Sequence, residues 1–466
     1  MTEPVFSLLP RPKPMALAGK RVLVLGLGDT GLAVARWVER SGGSVRVADT
    51  RVAPPRAADL RCGELVTGPF EARLLAGIDL VCISPGLALS GPVVQHALAR
   101  GIPLVGEIEL FAWQARGGAA AKIAAVTGTN GKTTVTALTG HLLRSAGVDC
   151  EVAGNIGPAA LDALMRRLDT GRLPEAWVLE LSSYQLETTW SLAPDCAALL
   201  NLSEDHLDRY AGLAEYGAAK ARIFHGAGTQ VLNRDDPRAA ALAPAAGRRI
   251  SFGLDTPPRP EDMGIATVGG RKWLAHGART LIAVDELPIH GWHNAANALA
   301  SAALASALGA PREAIAEGLR SFRGLPHRLE RVALTGGVTW YDDSKGTNVG
   351  ATIAALRGLE QKVVLIAGGE GKGQDFAPLA QPVAERASRV LLIGRDAPLI
   401  ASALASSGVP LETCATLEDA VAIAARSARP GEAVLLSPAC ASFDMFRDYR
   451  HRGEAFAAAV RGLARG

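Results

Sequence analysis

The stretch Thr127-Gly128-Thr129-Asn130-Gly131-Lys132-Thr133-Thr134 carries the residue types needed to hold a triphosphate. An apolar run, Ile123 to Val126, precedes it and reads as a short buried strand, and a helical pattern follows from about Thr133 to Ser145. Strand, glycine loop, lysine, hydroxyl and helix bring backbone N–H groups and a helix N-terminus to face an anion. In that layout Lys132 reaches the β- and γ-phosphates of ATP and the Thr133 hydroxyl holds Mg²⁺. Gly128, Thr129, Asn130, Gly131 and Thr134 complete the cradle. The usual spacing, G-x-x-x-x-G-K-[ST], wants glycine at 126, where this chain has Val126. A glycine turn that happens to carry a lysine is the plainer reading; the strand before and the helix after argue against it.

Other polar residues stand where strands end. Glu180 closes the apolar run Trp177 to Leu181, and Ser182-Ser183-Tyr184-Gln185 follows. Asn201 lies in the run Cys196 to Leu202, with Glu204-Asp205-His206-Leu207-Asp208 beyond. A carboxylate ending a strand next to a phosphate loop suits a Mg²⁺ ligand, although each such residue alone reads equally as a helix cap or surface charge. Asn294 and Asn297, three apart at the start of an alanine-rich helix, share one face; capping is the alternative. Lys220 sits on a helix after the His206 loop and by its surroundings is an ordinary lysine, solvated or ion-paired.

These residues must be positioned by the rest of the chain. Arg21 to Gly26 is a strand, followed by Gly26-Leu27-Gly28-Asp29-Thr30-Gly31, a helix to about Arg40, and a second strand from Ser44 ending at Asp49. This G-x-G-x-x-G with an acidic residue about twenty positions on is a dinucleotide fingerprint and taken alone suggests NAD, though other nucleotides use the same geometry. Ser84-Pro85-Gly86 follows the strand Asp79 to Ile83, at a place where open α/β sheets bind ligands or simply turn. This first unit closes near Phe111, before Arg116-Gly117-Gly118, which has a linker's composition. The second unit repeats strand and helix, the rhythm of a parallel sheet, until Arg323-Gly324-Leu325-Pro326 breaks it. The last unit alternates again, with strands at Val338–Asp342, Lys362–Ala367, Arg389–Ile393 and Ala433–Leu436. The loops Asp343-Ser344-Lys345-Gly346-Thr347-Asn348, Gly368 to Gly373, and Ser437 to Ser442 follow three of them. Lys372 in the glycine loop is either a second anion site or a solvated lysine in a turn. The whole reads as α/β in three domains: 1–111 and 325–466 Rossmann-like, and 112–324 a P-loop ATPase-type parallel sheet.

Composition narrows the function. The 466 residues are 48% hydrophobic and 20% charged, with a net charge of +3. These values suit a globular chain and give no reason to expect nucleic acid or an anionic membrane as partner. No run reaches the ~18 apolar residues of a membrane span, and Met1 to Lys20 lacks the apolar core of a secretory signal. Six scattered cysteines without C-x-x-C spacing read as reduced core thiols. The expectation is a cytoplasmic monomer acting on small molecules.

At TGTNGKT (127–133) the chain resembles the Mur ligases, ATP-dependent amide ligases of peptidoglycan precursor synthesis, whose phosphate loop has this shortened form. GNIG (154–157), LELSSYQLET (179–188), NLSEDHLDRY (201–210), GWHNAANALA (291–300), PHRLE (326–330), DDSKGTNVGAT (342–352) and SPACASFDMF (437–446) extend the resemblance over nearly the whole chain. They are most similar to the branch that adds D-glutamate to UDP-N-acetylmuramoyl-L-alanine. The branch adding the third residue typically carries Asn-Pro-Arg where this chain has Asp-Ser-Lys.

The resemblance implies a cleft in which three domains meet, and an acyl phosphate formed with release of ADP. It implies that Gly28, Asp29, Thr30, Asp49, Thr50, Arg51, Ser84 and Gly86 hold the UDP-substrate and not NAD, with Asn155, Ser182, Gln185 and His206 nearer its reacting end. Thr133 and Glu180 would hold one Mg²⁺, and His206 with a carbamylated Lys220 a second. Asn294, Arg328 and Asp343 would contact the adenosine of ATP. Lys345, Thr347, Lys372, Ser442 and Tyr449 would hold D-glutamate, Tyr449 standing where the family has phenylalanine. A folylpolyglutamate synthase-like ligase is the rival within this chemistry, and the N-terminal nucleotide-type unit counts against it. An NAD-dependent dehydrogenase and a non-catalytic nucleotide-binding regulator are the rivals outside it.

Overall fold

A computed structural model of the chain describes residues 4–115, 121–206 and 209–463. Arg116-Gly117-Gly118 and Leu207-Asp208, read above as a linker and as part of a polar loop, lie outside the described residues. The described chain forms three sheets.

In the first, Arg21–Leu25, Ser44–Asp49, Glu64–Thr67, Leu80–Ile83 and Leu104–Val105 run parallel. The strand order reverses beside Arg21–Leu25, whose neighbours are Ser44–Asp49 and Leu80–Ile83. Ligands of such sheets bind at the carboxyl ends at that switch, where Gly26-Leu27-Gly28 and Ser84-Pro85-Gly86 both emerge.

The central sheet has nine strands. Lys122–Thr127 lies between Ala176–Glu180 and Cys196–Leu199, with Val126 opposite Glu180 and Thr127 opposite Leu199. This register sets the strand-end carboxylate beside the phosphate loop. Both faces are buried: Ile123 and Ala125 enter one apolar cluster, Ala124 and Val126 another. Period-2 alternation between two cores explains why the strand reads as a continuous apolar run. Over the second face the helix Trp292–Ala307 packs against the helix Lys132–Ser145. Its alanines are strong helix formers and small enough to let the two helices approach closely.

The third sheet runs Glu330–Thr335, Val338–Asp342, Ala433–Leu436, Val363–Gly368, Ala387–Ile393, Leu411–Thr413, parallel except for the first pair. The helix Val349–Gly358 opens with Asn348 as its cap, the amide oxygen accepting from the Ala351 N–H at 2.8 Å. Such a cap contributes ~1 kcal/mol.

Two features depart from the sequence reading. The strand expected over Cys196–Leu202 ends at Leu199, and Asn201 lies in the following loop. Its side chain accepts from the Asn130 N–H at 2.8 Å and donates to the Asn130 carbonyl at 3.0 Å, so it pairs with the phosphate loop instead of a sheet neighbour. The reading also contains no strands at Glu64–Thr67, Leu104–Val105, Cys150–Gly154, Arg248–Phe252, Glu330–Thr335 or Leu411–Thr413, nor in the antiparallel set Met263–Val268, Arg271–His276, Arg279–Ala283. These lie at or toward the edges of their sheets, where half-exposed residues dilute the apolar pattern. All six cysteines are unpaired and buried, as core thiols should be. No helix among the described residues is long and apolar enough to cross a membrane.

Candidate active site

The phosphate loop is held from several sides. Thr127 Oγ1 donates to the Leu181 carbonyl at 2.7 Å, Thr129 Oγ1 donates to the Ser203 carbonyl at 3.1 Å, and Asn201 grips the Asn130 backbone. Gly131 has φ +82°, and a Cβ there would lie 2.5 Å from Asn297 Oδ1, so a larger residue would be strained and would displace the Asn297 amide. Asn297 in turn donates to Asn294 Oδ1 at 3.1 Å, and Asn294 to the His290 carbonyl at 2.8 Å. The face shared by the two asparagines is therefore packed on the loop. Thr133 and Thr134 open the helix that follows.

Lys132 Nζ donates to the Gly128 and Thr129 carbonyls at 2.9 and 2.8 Å. Lys220, 1% exposed, donates to the same Gly128 carbonyl at 2.9 Å and lies 4.5 Å over the Tyr216 ring. Burial, with Lys132 nearby, holds the Lys220 amine well below the usual lysine range. The ordinary solvated lysine of the sequence reading is thus a buried one beside the phosphate loop. Tyr216 also touches His206, their ring centroids 6.1 Å apart, and His206 packs on Tyr184 at 4.9 Å. His206 has a left-handed backbone, φ +55°.

Glu180 is 1% exposed. Its Oε1 accepts from Asn155 Nδ2 at 2.6 Å, and its Oε2 has no hydrogen-bond partner among the described residues. A buried carboxylate oxygen left unmatched costs about 1–3 kcal/mol or more. The fields of Lys132, Lys220, Arg328 and Lys345 all reach this carboxylate. An unmatched anionic oxygen beside a threonine-bearing phosphate loop fits a hard cation such as Mg²⁺.

Residues of the last sheet close the site. Arg328, Asp343 and Lys345 line a cavity of about 270 Å³ together with Asn130, Gly131, Thr134, Asn294 and Asn297. Asp343 accepts from Ser437 Oγ at 2.7 Å, and burial pushes its carboxyl up to about 7. Lys345 lies 4.2 Å over the Tyr449 ring. Burial, then the Arg328 and Lys132 cations, bring it down to about 8. Thr347 and Ser442 lie on the same loops, Ser442 buried. Lys372, exposed with φ +52°, stands 5.4 Å over Phe443.

The first sheet bears a separate cluster. Asp49 accepts from the Leu27 N–H at 2.7 Å and from Arg51 through its N–H, Nε and NH2. The Arg51 guanidinium is the main cause of its carboxyl falling to about 2. A carboxylate so committed organises its own loop and is a poor acceptor for an NAD ribose. Asp29 pairs with Arg56 at 2.6 Å, and Ser84 Oγ donates to the Gly26 carbonyl at 3.2 Å. Gly28, Thr50 and Gly86 lie on these same loops, and Thr30 stands in the first turn of the helix Asp29–Arg40.

Three family models match the chain in order: the Mur ligase MurD-like N-terminal domain over residues 20–106, the Mur ligase middle domain over 126–305, and the Mur ligase glutamate ligase domain over 327–440. A protein of Nitrosospira multiformis named UDP-N-acetylmuramoylalanine--D-glutamate ligase is 58% identical over 96% of this chain and 97% of its own. One of the same name from Nitrosomonas europaea is 51% identical over 97% and 98%. The chain belongs to the Mur ligase family. Its fold is that of solved Mur ligases, among them MurF of Acinetobacter baumannii, with a TM-score of 0.61 at 21% identity over 96% of this chain and 91% of that one.

As a Mur ligase the chain shows residues that motif reading does not single out. Asn233, Asp235, Phe252, Leu254 and His293 line the same cavity. Burial lowers His293 to about 4, so its ring is neutral near pH 7, and Nδ1 lies 3.1 Å from the Ala354 carbonyl. His293 lies within the GWHNAANALA stretch without a role given to it, and none of the five stands in a glycine loop with a lysine, the local signal that marks Lys132. Two residues expected at the UDP-substrate, Ser182 and Gln185, form a reciprocal capping box that starts the helix Ser183–Glu187. Asn130, expected on ATP, turns its side chain to Asn348.

Proposed function

We propose that this Mur ligase joins D-glutamate to UDP-N-acetylmuramoyl-L-alanine and cleaves ATP to ADP and phosphate. The supporting observation is the unmatched carboxylate oxygen of Glu180 amid Lys132, Arg328 and Lys345, drawn from the central and last domains. A carboxylate does not condense with an amine in neutral water. It first attacks the γ-phosphate, giving an acyl phosphate and ADP, and the amine then displaces phosphate from the acyl carbon. Like-charge repulsion opposes the first step. Lys132 and the loop N–H groups offset it, and preorganised charge of this kind supplies several kcal/mol. Thr133 and Glu180 would hold one Mg²⁺, His206 and a carbamate of Lys220 a second; the bound ions supply further positive charge at the phosphoryl oxygens.

In this reading Asn294, Arg328 and Asp343 hold the nucleotide, and the loops of the first sheet with Asn155 hold the UDP-substrate. The chain divides near 111 and 324 into three domains whose closure excludes water from the acyl phosphate. Cytoplasmic location and action as a monomer complete the proposal. The decisive experiment measures products by chromatography. ADP and phosphate form only when both UDP-N-acetylmuramoyl-L-alanine and D-glutamate are present; AMP and pyrophosphate would refute the mechanism.

Lys345 and Lys372 set the preference for a dicarboxylate amino acid. Losing one charge-assisted bond, about 1.5–3 kcal/mol, raises KM for D-glutamate roughly 10- to 100-fold in Lys345→Ala or Lys372→Ala, with little change in KM for ATP. Because Lys345 loses its proton near pH 8, D-glutamate binding to the wild type also weakens as the pH rises through that value. Equal effects of either variant on both substrates refute the assignment.

A further inference from the structure

A side-chain pair joins the phosphate loop to the cap of the helix Val349–Gly358 in the last domain. Asn348 Nδ2 donates to Asn130 Oδ1 at 3.1 Å, and Asn130 Nδ2 donates back to Asn348 Oδ1 at 3.4 Å. Neither residue is free to move alone. The Asn130 backbone is clamped by Asn201 on both its N–H and its carbonyl. Asn348 caps the helix Val349–Gly358 and directly follows the loop Lys345-Gly346-Thr347 in sequence. Further along, that helix meets the central domain again where His293 Nδ1 lies against the Ala354 carbonyl. Ala351 and Ala354 both line the nucleotide cavity. The approach between these contacts is close: a Cβ on Gly350 would lie 3.1 Å from Ser203 Oγ and 3.3 Å from Asn130 Nδ2.

We propose that Asn348 is a positioning residue that transmits nucleotide occupancy of the phosphate loop to the amino-acid loop of the last domain, through its amide pair with Asn130. The physical basis is connectivity. The Asn130 side chain leaves a loop whose backbone must conform to the phosphates, and it ends on the residue adjoining Thr347. A loop ordered by nucleotide presents Asn130 in one orientation, and the reciprocal amide pair then seats the helix and, with it, Lys345 and Thr347. Each ligand therefore improves binding of the other, and coupling of this kind is reciprocal. The inference rests on the reading of this site as an ATP and D-glutamate site.

Calorimetric titration of the full chain with D-glutamate tests it, with UDP-N-acetylmuramoyl-L-alanine present and with or without a non-hydrolysable ATP analogue. Asn348→Ser keeps a hydroxyl able to cap the helix but cannot exchange two hydrogen bonds with Asn130. The wild type binds D-glutamate more tightly with the analogue. In Asn348→Ser that tightening shrinks about five- to tenfold, while the affinity without nucleotide is unchanged and the melting temperature stays within about 2 °C. Asn348→Thr, a second capping residue too short to exchange two hydrogen bonds with Asn130, shows the same loss and carries the test if the first variant folds poorly. Wild-type tightening retained in both variants overturns the proposal. A wild type that binds no D-glutamate under any of these conditions overturns the functional reading, and the inference with it.

Discussion

Lys132→Ala lowers kcat by on the order of 10²–10³, the loss expected for one preorganised transition-state donor. The lysine is half-buried beside the loop carbonyls of Gly128 and Thr129, and desolvation lowers its proton affinity while Glu180 and Asp205 raise it. In the proposed reading its ammonium meets the charge that develops as the γ-phosphoryl group moves. The effect falls on kcat more than on KM for ATP, because the backbone N–H groups of the loop still hold the ground-state phosphates. Steady-state kinetics at saturating ATP, with circular dichroism to confirm the fold, measure it. Near-normal turnover would mean that this loop does not carry the chemistry.

Lys220→Ala is almost inactive, and acetate partly restores it. An ammonium cannot ligate Mg²⁺, which takes oxygen. A neutral amine can add to CO₂, forming an N–C bond and releasing a proton, to give an anionic carbamate with two oxygens. The structure supplies the condition this requires: the Lys220 amine is buried against Gly128 and Tyr216, and burial with Lys132 nearby lowers its proton affinity. Loss of the side chain also removes a donor from the Gly128 carbonyl, so inactivity alone would not separate charge from support of the loop. Acetate supplies oxygens and negative charge, whereas methylammonium replaces only the donor. Recovery with acetate and not with methylammonium is the expected result. Full activity of the variant, recovery with methylammonium alone, or a bare amine at Lys220 in a high-resolution structure of active enzyme would refute the carbamate.

Much of this molecule was legible in single stretches. The strand before Gly128 and the helix after Lys132 are encoded within about twenty residues, because apolar runs and glycine positions act locally. The switch-point loops after Arg21–Leu25 and Leu80–Ile83 were readable for the same reason. Strand ends were not: Asn201 sits two residues beyond its strand because a partner far off in sequence, Asn130, satisfies its amide better than a sheet neighbour would. By its immediate neighbours in the sequence Lys220 is one lysine among many, and only the family resemblance marked it. Only packing against Tyr216 and the phosphate loop removes its water, and desolvation depends on what other segments bring to the site. The convergence of Lys132, Lys220, Arg328 and Lys345 on Glu180 belongs to the tertiary structure alone. So does the pair Asn130 and Asn348, which stand 218 positions apart. Local patterns determine which elements form; how the domains pack determines which side chains meet, since electrostatic and hydrogen-bond energies depend on distance in space and not along the chain.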